Sequence, residues 1–244
     1  MLKISGLPIE FDFFMDEDTR SKRIGILVME KTLAPALSQA LFRIRQNASH
    51  YHMLKIANNQ NLTQDERKVQ TESISKQSRE IKWSNLNLVR SFIAIEFIKH
   101  FFQYSTKGPL PIMFFNSPFI TDHSNSINYF FDCLNSQQFP VFQNFNNSKS
   151  IFFLDSFNTP AGIKFEKEIT TRNNLGRCYR LDSKAHDLIQ MTDLLLALTV
   201  VDLQKKTIQS KAKLSLYKEF SKLREIATTK SLSGQFNWNP IYII

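Results

Sequence analysis

Residues Ile9–Met29 read IEFDFFMDEDTRSKRIGILVM. Two apolar runs, Ile9–Met15 and Ile24–Met29, flank three acids, Asp16-Glu17-Asp18, and a polar turn over Thr19–Lys22. Two short apolar runs around such a turn predict a β-hairpin. The hairpin decides the fold because helices and further strands alternate behind it. Leu37, Leu41 and Ile44 recur at helical spacing after Pro35, a residue suited to a helix start. Residues 47–79 are polar and read as a long, partly helical insertion. Glu80–Trp83 reads as a short strand or its end, with Ser84 or Asn85 as the cap of a helix carrying Leu88, Phe92, Ile95, Phe97 and Ile98.

Gly108-Pro109 breaks that helix, and Pro111–Phe115 is the next strand. Then come a helix over 124–134, an Asn-rich loop over 143–148, a strand over 150–154 closed by Asp155, and a helix over 160–169. A short strand, Tyr179–Leu181, ends at Asp182, and the last core helix spans 185–204. The tail over 205–230 has an apolar stripe of Leu214, Leu216, Tyr217, Phe220 and Leu223, and QFNWNPIYII (235–244) is β-prone. Strands alternating with helices behind a hairpin predict an α/β fold: a mixed sheet flanked by helices, in one domain over 1–244.

Composition narrows the class. The 244 residues are 42% hydrophobic and 22% charged, an ordinary globular balance that excludes disorder and collagen-like repeats. Two cysteines, Cys133 and Cys178, exclude a disulfide framework and a four-thiolate zinc site, and suit a reducing cytoplasm. The opening lacks a basic segment leading into an apolar run, and the longest apolar stretch, Leu194–Val201, is far short of the roughly 18 residues of a membrane span. Net charge is +9, and residues 205–230 hold eight basic residues against two acids. That balance favours a polyanionic partner, nucleic acid first.

Three strands end in acids, Asp16, Asp155 and Asp182, at the strand ends where open α/β sheets bind ligands. Carboxylates gathered there repel unless a cation compensates, and hard ions such as Mg²⁺ or Mn²⁺ take oxygen ligands. Acids after strands also make turns and helix caps. Asp193 is the most informative, because it shares a face with Ile189, Leu196 and Ala197 in an otherwise apolar helix. Burying a carboxylate there is costly without a partner; Gln190 is the nearest polar companion, and Lys184 is an alternative ion-pair partner. No phosphate loop, GxGxxG or GxSxG motif occurs, and His50 and His52 lack thiols for a zinc site. His186 reads as a helix-start residue or a helper of the acids, and Trp83 as core or a base-stacking ring.

Glu80-Ile81-Lys82-Trp83-Ser84 resembles the E-[IV]-K-[WG]-S motif of the domain-of-unknown-function 3800 family. Asp182-Ser183-Lys184 with Gln190-Met191-Thr192-Asp193-Leu194-Leu195 is similar to its D-S-K and Q-[LM]-[AT]-D-L-L motifs, and Phe13–Glu17 to its opening y-[VI]-D-E. Asp18-Thr19 stand where that family continues with Ser-Gly. The resemblance runs in order from about Ile9 to Leu203 and implies a ribonuclease H-like fold with metal-dependent nuclease activity. It carries over Asp16, Asp155 and Asp193 as ligands of Mg²⁺ or Mn²⁺, with Glu17, Glu80 and Asp182 in support.

The expected function is therefore hydrolysis of phosphodiester bonds in DNA or RNA by a two-metal carboxylate site. Asp16, Glu17, Glu80, Asp155 and Asp193 are the candidate catalytic set, and Lys82, Lys184, Lys205, Lys206, Lys211 and Lys213 the candidate nucleic-acid contacts. The alternative is a catalytically silent module on the same fold that binds nucleic acid or a protein partner, as in a defence or mobile-element system.

Overall fold

The computed structural model describes residues 10–77, 80–105, 112–136, 147–155, 164–232 and 240–244. The opening runs form the expected hairpin, β1 (Phe11–Asp18) and β2 (Arg23–Glu30), paired from Phe11–Glu30 to Asp18–Arg23. Asp18 shapes the turn: its Oδ1 accepts from the N–H groups of Arg20 (3.0 Å) and Ser21 (3.3 Å), and Lys22 closes it at φ 53°. The carboxylate of Asp18 is thus spent on backbone geometry.

Next in the chain are α1 (Ala34–Ala57), α2 (Gln64–Gln77), α3 (Leu88–Ser105), β3 (Ile112–Pro118) and α4 (His123–Asn135). The chain continues as β4 (Ile151–Asp155), α5 (Lys164–Arg172), β5 (Arg177–Leu181), α6 (Asp187–Gln204), α7 (Lys211–Leu232) and β6 (Ile241–Ile243). The sheet order is β5-β4-β1-β2-β3-β6. β1, β2 and β3 form an antiparallel meander, and β4, β5 and β6 add in parallel.

The two-residue pleat of the strands sorts the core into two layers. Phe14, Leu27, Met29, Ile112 and Phe114 face α1, α3, α6 and α7. Phe11, Phe13, Met15, Ile24, Ile26, Val28 and Phe115 face α4 and α5, where Phe130, Phe131 and Ile169 are buried. Phenylalanine dominates this second layer, with Phe13 edge-on to Phe131 at 5.2 Å and stacked on Phe152 at 5.8 Å.

Several local expectations change. Residues 47–57 continue α1 unbroken, and α2 packs beside it, so most of the polar insertion is a helical hairpin. Glu80–Lys82 is extended coil leading into a 3-10 turn at Trp83–Asn85, and it pairs with no strand among the described residues. The cap of α3 is Asn87, whose Oδ1 accepts from Arg90 N–H at 2.9 Å; Asn85 instead bonds Lys82 N–H at 3.0 Å. Leu88 and Phe92 point outward, 75% and 57% exposed, because the core stripe of α3 runs through Ile93, Ala94, Phe97, Ile98 and Phe101. Leu214 is likewise exposed, while Leu216 and Phe220 are buried. Gly108-Pro109, residues 143–146 of the Asn-rich stretch and the start of the helix expected over 160–169 lie outside the described residues.

Candidate functional site

Asp16 is the first of the three acids that close β1 and shares its face with Phe14, the face that α6 covers. β1 and β4 pair in parallel up to Met15–Leu154, so one step further Asp16 and Asp155 stand near the ends of adjacent strands on the same side of the sheet. Asp193 enters from α6, which lies across β1 and β2. Its approach depends on Gly25, the cross-strand partner of Asp16. A Cβ at Gly25 would stand 2.9 Å from both Leu196 Cβ and a Phe114 ring carbon, so any larger residue would lift α6 off the sheet.

Two side chains of α6 then clamp the Glu80–Trp83 segment. Gln190 Oε1 accepts from Ile81 N–H at 2.8 Å, and Asp193 Oδ2 accepts from Trp83 N–H at 2.7 Å. Gln190 Nε2 also donates to the Ser183 carbonyl at 2.7 Å. Ser183 in turn gives its N–H to Asp155 Oδ1 at 3.2 Å and its hydroxyl to Glu80 Oε1 at 3.3 Å. The segments Glu80–Trp83, Ser183 and Gln190–Asp193 thereby form one hydrogen-bonded unit around Asp155. Lys82 projects into it, with Nζ 2.9 Å from Asp155 Oδ2 and 3.8 Å from Glu80 Oε1.

This crowding sets the electrostatics. Burial, with the Asp193 and Asp155 carboxylates beside it, pushes Asp16 well above the ordinary carboxylate range. Asp16 Oδ1 accepts from Glu17 N–H at 2.8 Å, whereas Oδ2 is buried without a hydrogen-bond partner. Burial raises Asp193 to about 6, against the opposing pull of Trp83 N–H and Lys82. Burial opposes the charge on Lys82, but Asp16, Asp155 and Asp193 outweigh it and raise the ammonium above its usual value.

Asp16, Glu80, Asp155 and Asp193 are thus brought together, and Lys82 stands among them. Glu17 is not with them. One residue after Asp16 on a pleated strand, it faces the opposite side and pairs with His123 Nε2. Asp182 is exposed and caps a 3-10 turn through Lys184 N–H at 2.9 Å. Lys184 is exposed, and its carbonyl accepts from Arg45. Lys205 and Lys206 are exposed beyond the far end of α6, about 18 Å along the helix axis from Asp193. Lys211 is exposed at the start of α7, and Lys213 Nζ sits 5.1 Å above the Trp83 ring. His186 opens α6 stacked on Phe153 and tilted against Phe14 rather than among the acids, and burial lowers its pKa. Lys82 belongs to the acids rather than to an outer basic surface, with no local sequence signal for it.

The donor set is oxygen only, which suits a hard divalent ion and excludes a thiolate or imidazole zinc site here. The unpartnered Asp16 Oδ2 is a free donor at the centre of the set. No group of three or more His, Cys, Asp or Glu side chains among the described residues is arranged to hold a metal.

An antiparallel β1-β2-β3 meander extended by parallel β4, β5 and β6, with helices on both faces, defines a mixed α/β fold. Among solved structures, a chain of the PCNA:RNase HII complex from Archaeoglobus fulgidus is similar at TM-score 0.32 and 9% identity, over 88% of this chain and 89% of that one. No family model and no curated protein matches the chain. Among the described residues no helix is long and apolar enough to cross a membrane.

Proposed function

We propose that the chain is a metal-dependent phosphodiester hydrolase acting on DNA or RNA in the cytoplasm, a divergent relative of the domain-of-unknown-function 3800 family. The observation that carries this reading is Asp16: a buried carboxylate oxygen without a hydrogen-bond partner, crowded by Asp155 and Asp193. Leaving such a group uncompensated costs several kcal/mol in a protein interior, roughly what a bound cation would return. Asp16, Asp155 and Asp193 would hold Mg²⁺ or Mn²⁺. When bound, the metal lowers the pKa of a coordinated water and stabilises negative charge on the phosphate.

The chain's own residues supply the rest. Glu80, held by Ser183 Oγ at the margin of the cluster, is placed to take a proton or orient water. Lys184 and Lys213 lie at the outer edge, where phosphate oxygens of a nucleic acid would approach. Glu17 has no part, since it is committed to His123 on the other face of the sheet.

Incubation of labelled single- and double-stranded DNA and RNA with Mn²⁺ or Mg²⁺ tests the reading. Wild type cleaves at least one substrate, and Asp16→Asn and Asp193→Asn abolish cleavage while Glu17→Gln retains it. Identical behaviour of wild type and Asp16→Asn on all four substrates overturns the proposal. One observation favours a second reading, a silent nucleic-acid-binding module: the Lys82–Asp155 pair already gives the cluster a counter-ion. That reading predicts salt-sensitive binding unaffected by EDTA.

A further inference from the structure

The acid cluster contains a cation of its own, and the chain fixes it from both sides. Ile81 N–H is tied to Gln190, Trp83 N–H to Asp193, and Lys82 N–H to Asn85. The backbone that carries Lys82 is therefore set before the side chain makes any contact. Its ammonium reaches Asp155 Oδ2 at 2.9 Å, and the side chain is only 22% exposed. Asp16 and Asp193 add their fields to the same ammonium.

We infer that Lys82 is a tethered counter-ion that occupies the cation position of the cluster in the metal-free protein, so that a divalent ion binds by taking its place at Asp155. The inference rests on the proposed metal site. The physical argument is one of shared oxygens. An ammonium donates along its N–H bonds into carboxylate lone pairs, and a hard divalent ion needs those same lone pairs. Asp155 Oδ1 already accepts from Ser183 N–H, so Oδ2 is the oxygen that both cations would compete for. Lys82 thus has two effects: it keeps the carboxylates together without metal, and it weakens the affinity for the ion. Displaced on its flexible stem, the ammonium stays at the mouth of the site as a point charge suited to a phosphate oxygen.

The test uses the full chain in two arms. In EDTA, Lys82→Met lowers the melting temperature by roughly 4–8 °C, and the same substitution in an Asp155→Asn background costs less than half as much. Equal losses in the two backgrounds overturn the counter-ion assignment. In the second arm, calorimetric titration with MnCl₂ finds Lys82→Met binding on the order of 10-fold tighter than wild type, because a competing positive charge is gone. Lys82→Arg, which keeps the charge, stays within about 3-fold of wild type. Equal or weaker binding by Lys82→Met overturns the replacement. If neither wild type nor Lys82→Met binds Mn²⁺, the proposed metal site fails and the replacement fails with it, while the EDTA arm still decides whether Lys82 is the counter-ion of Asp155.

Discussion

Asp193 does two things that pull against each other. Its Oδ2 anchors Trp83 N–H at 2.7 Å, and its charge is held in a buried, acid-crowded place that raises its pKa to about 6. The unfolded chain releases this proton near 3.9, so between about pH 4 and 6 the folded state binds more protons. Stability from this group therefore falls as pH rises through that window, and the cost is complete above about pH 6. Asp193→Asn keeps an acceptor for Trp83 and removes the charge. Urea unfolding in EDTA is expected to find the variant equal to wild type near pH 4 and about 1–3 kcal/mol more stable at about pH 7.5. A pH-independent difference would refute the raised pKa. Gln190 offers the complementary case of a residue that bears no charge yet holds the site. Gln190→Ala leaves Ile81 N–H and the Ser183 carbonyl without that partner, a loss of about 2–4 kcal/mol on urea unfolding, and it weakens Mn²⁺ binding because Ser183, which holds the Asp155 carboxylate, loses its support.

At the scale of elements, the site exists because α6 can lie close on β1 and β2. Gly25→Ala places a methyl 2.9 Å from Leu196 Cβ, an atom fixed to the helix backbone, so the helix itself must move. We expect a loss of about 1–3 kcal/mol together with weaker Mn²⁺ binding. Gly176→Ala, whose new methyl would meet the Ser148 carbonyl at 2.8 Å, is the control: it destabilises but leaves Mn²⁺ affinity unchanged. Equal effects of both variants on metal affinity would remove Gly25 from the site's support. The same elements explain what could be read in advance. The hairpin, the alternation of strands and helices, and Asp193 on an apolar helix were legible because periodicity and a misplaced charge are local signals. Glu17 was misread because adjacent acids look equivalent in one dimension, whereas a pleated strand turns them to opposite faces. The role of Lys82 was illegible for a different reason: it depends on Asp155, 73 residues away, and on an extended coil held by side chains of α6 rather than by a strand. Leu88 and Phe92 were assigned by hydrophobicity alone, and only packing against the sheet selects which stripe of α3 is buried.

At the scale of the whole molecule, an acidic cluster sits in a basic chain. The chain carries +9, and residues 205–230 hold eight basic residues against two acids, while Asp16, Glu80, Asp155 and Asp193 gather around Lys82. Lys213 over Trp83 brings the basic stretch beside the acids, since Trp83 N–H is bonded to Asp193. Lys205 and Lys206, about 18 Å along α6 from Asp193, cannot reach a phosphate at the acids; they can reach one several nucleotides away on the same strand. Binding and cleavage should therefore separate. Lys205→Gln/Lys206→Gln/Lys211→Gln weakens nucleic-acid binding uniformly across sequences and reduces the salt slope of log K by up to about 2.7, at about 0.9 per lost phosphate contact. Fluorescence anisotropy of labelled duplexes between about 50 and 200 mM salt, values chosen to span a strong salt response, measures this. Lys213→Gln changes the slope by no more than one contact but alters the tryptophan emission from Trp83, because it removes the ammonium above that ring. An unchanged slope in the triple variant would assign the basic tail to a protein partner and leave substrate binding to the rim of Lys184 and Lys213.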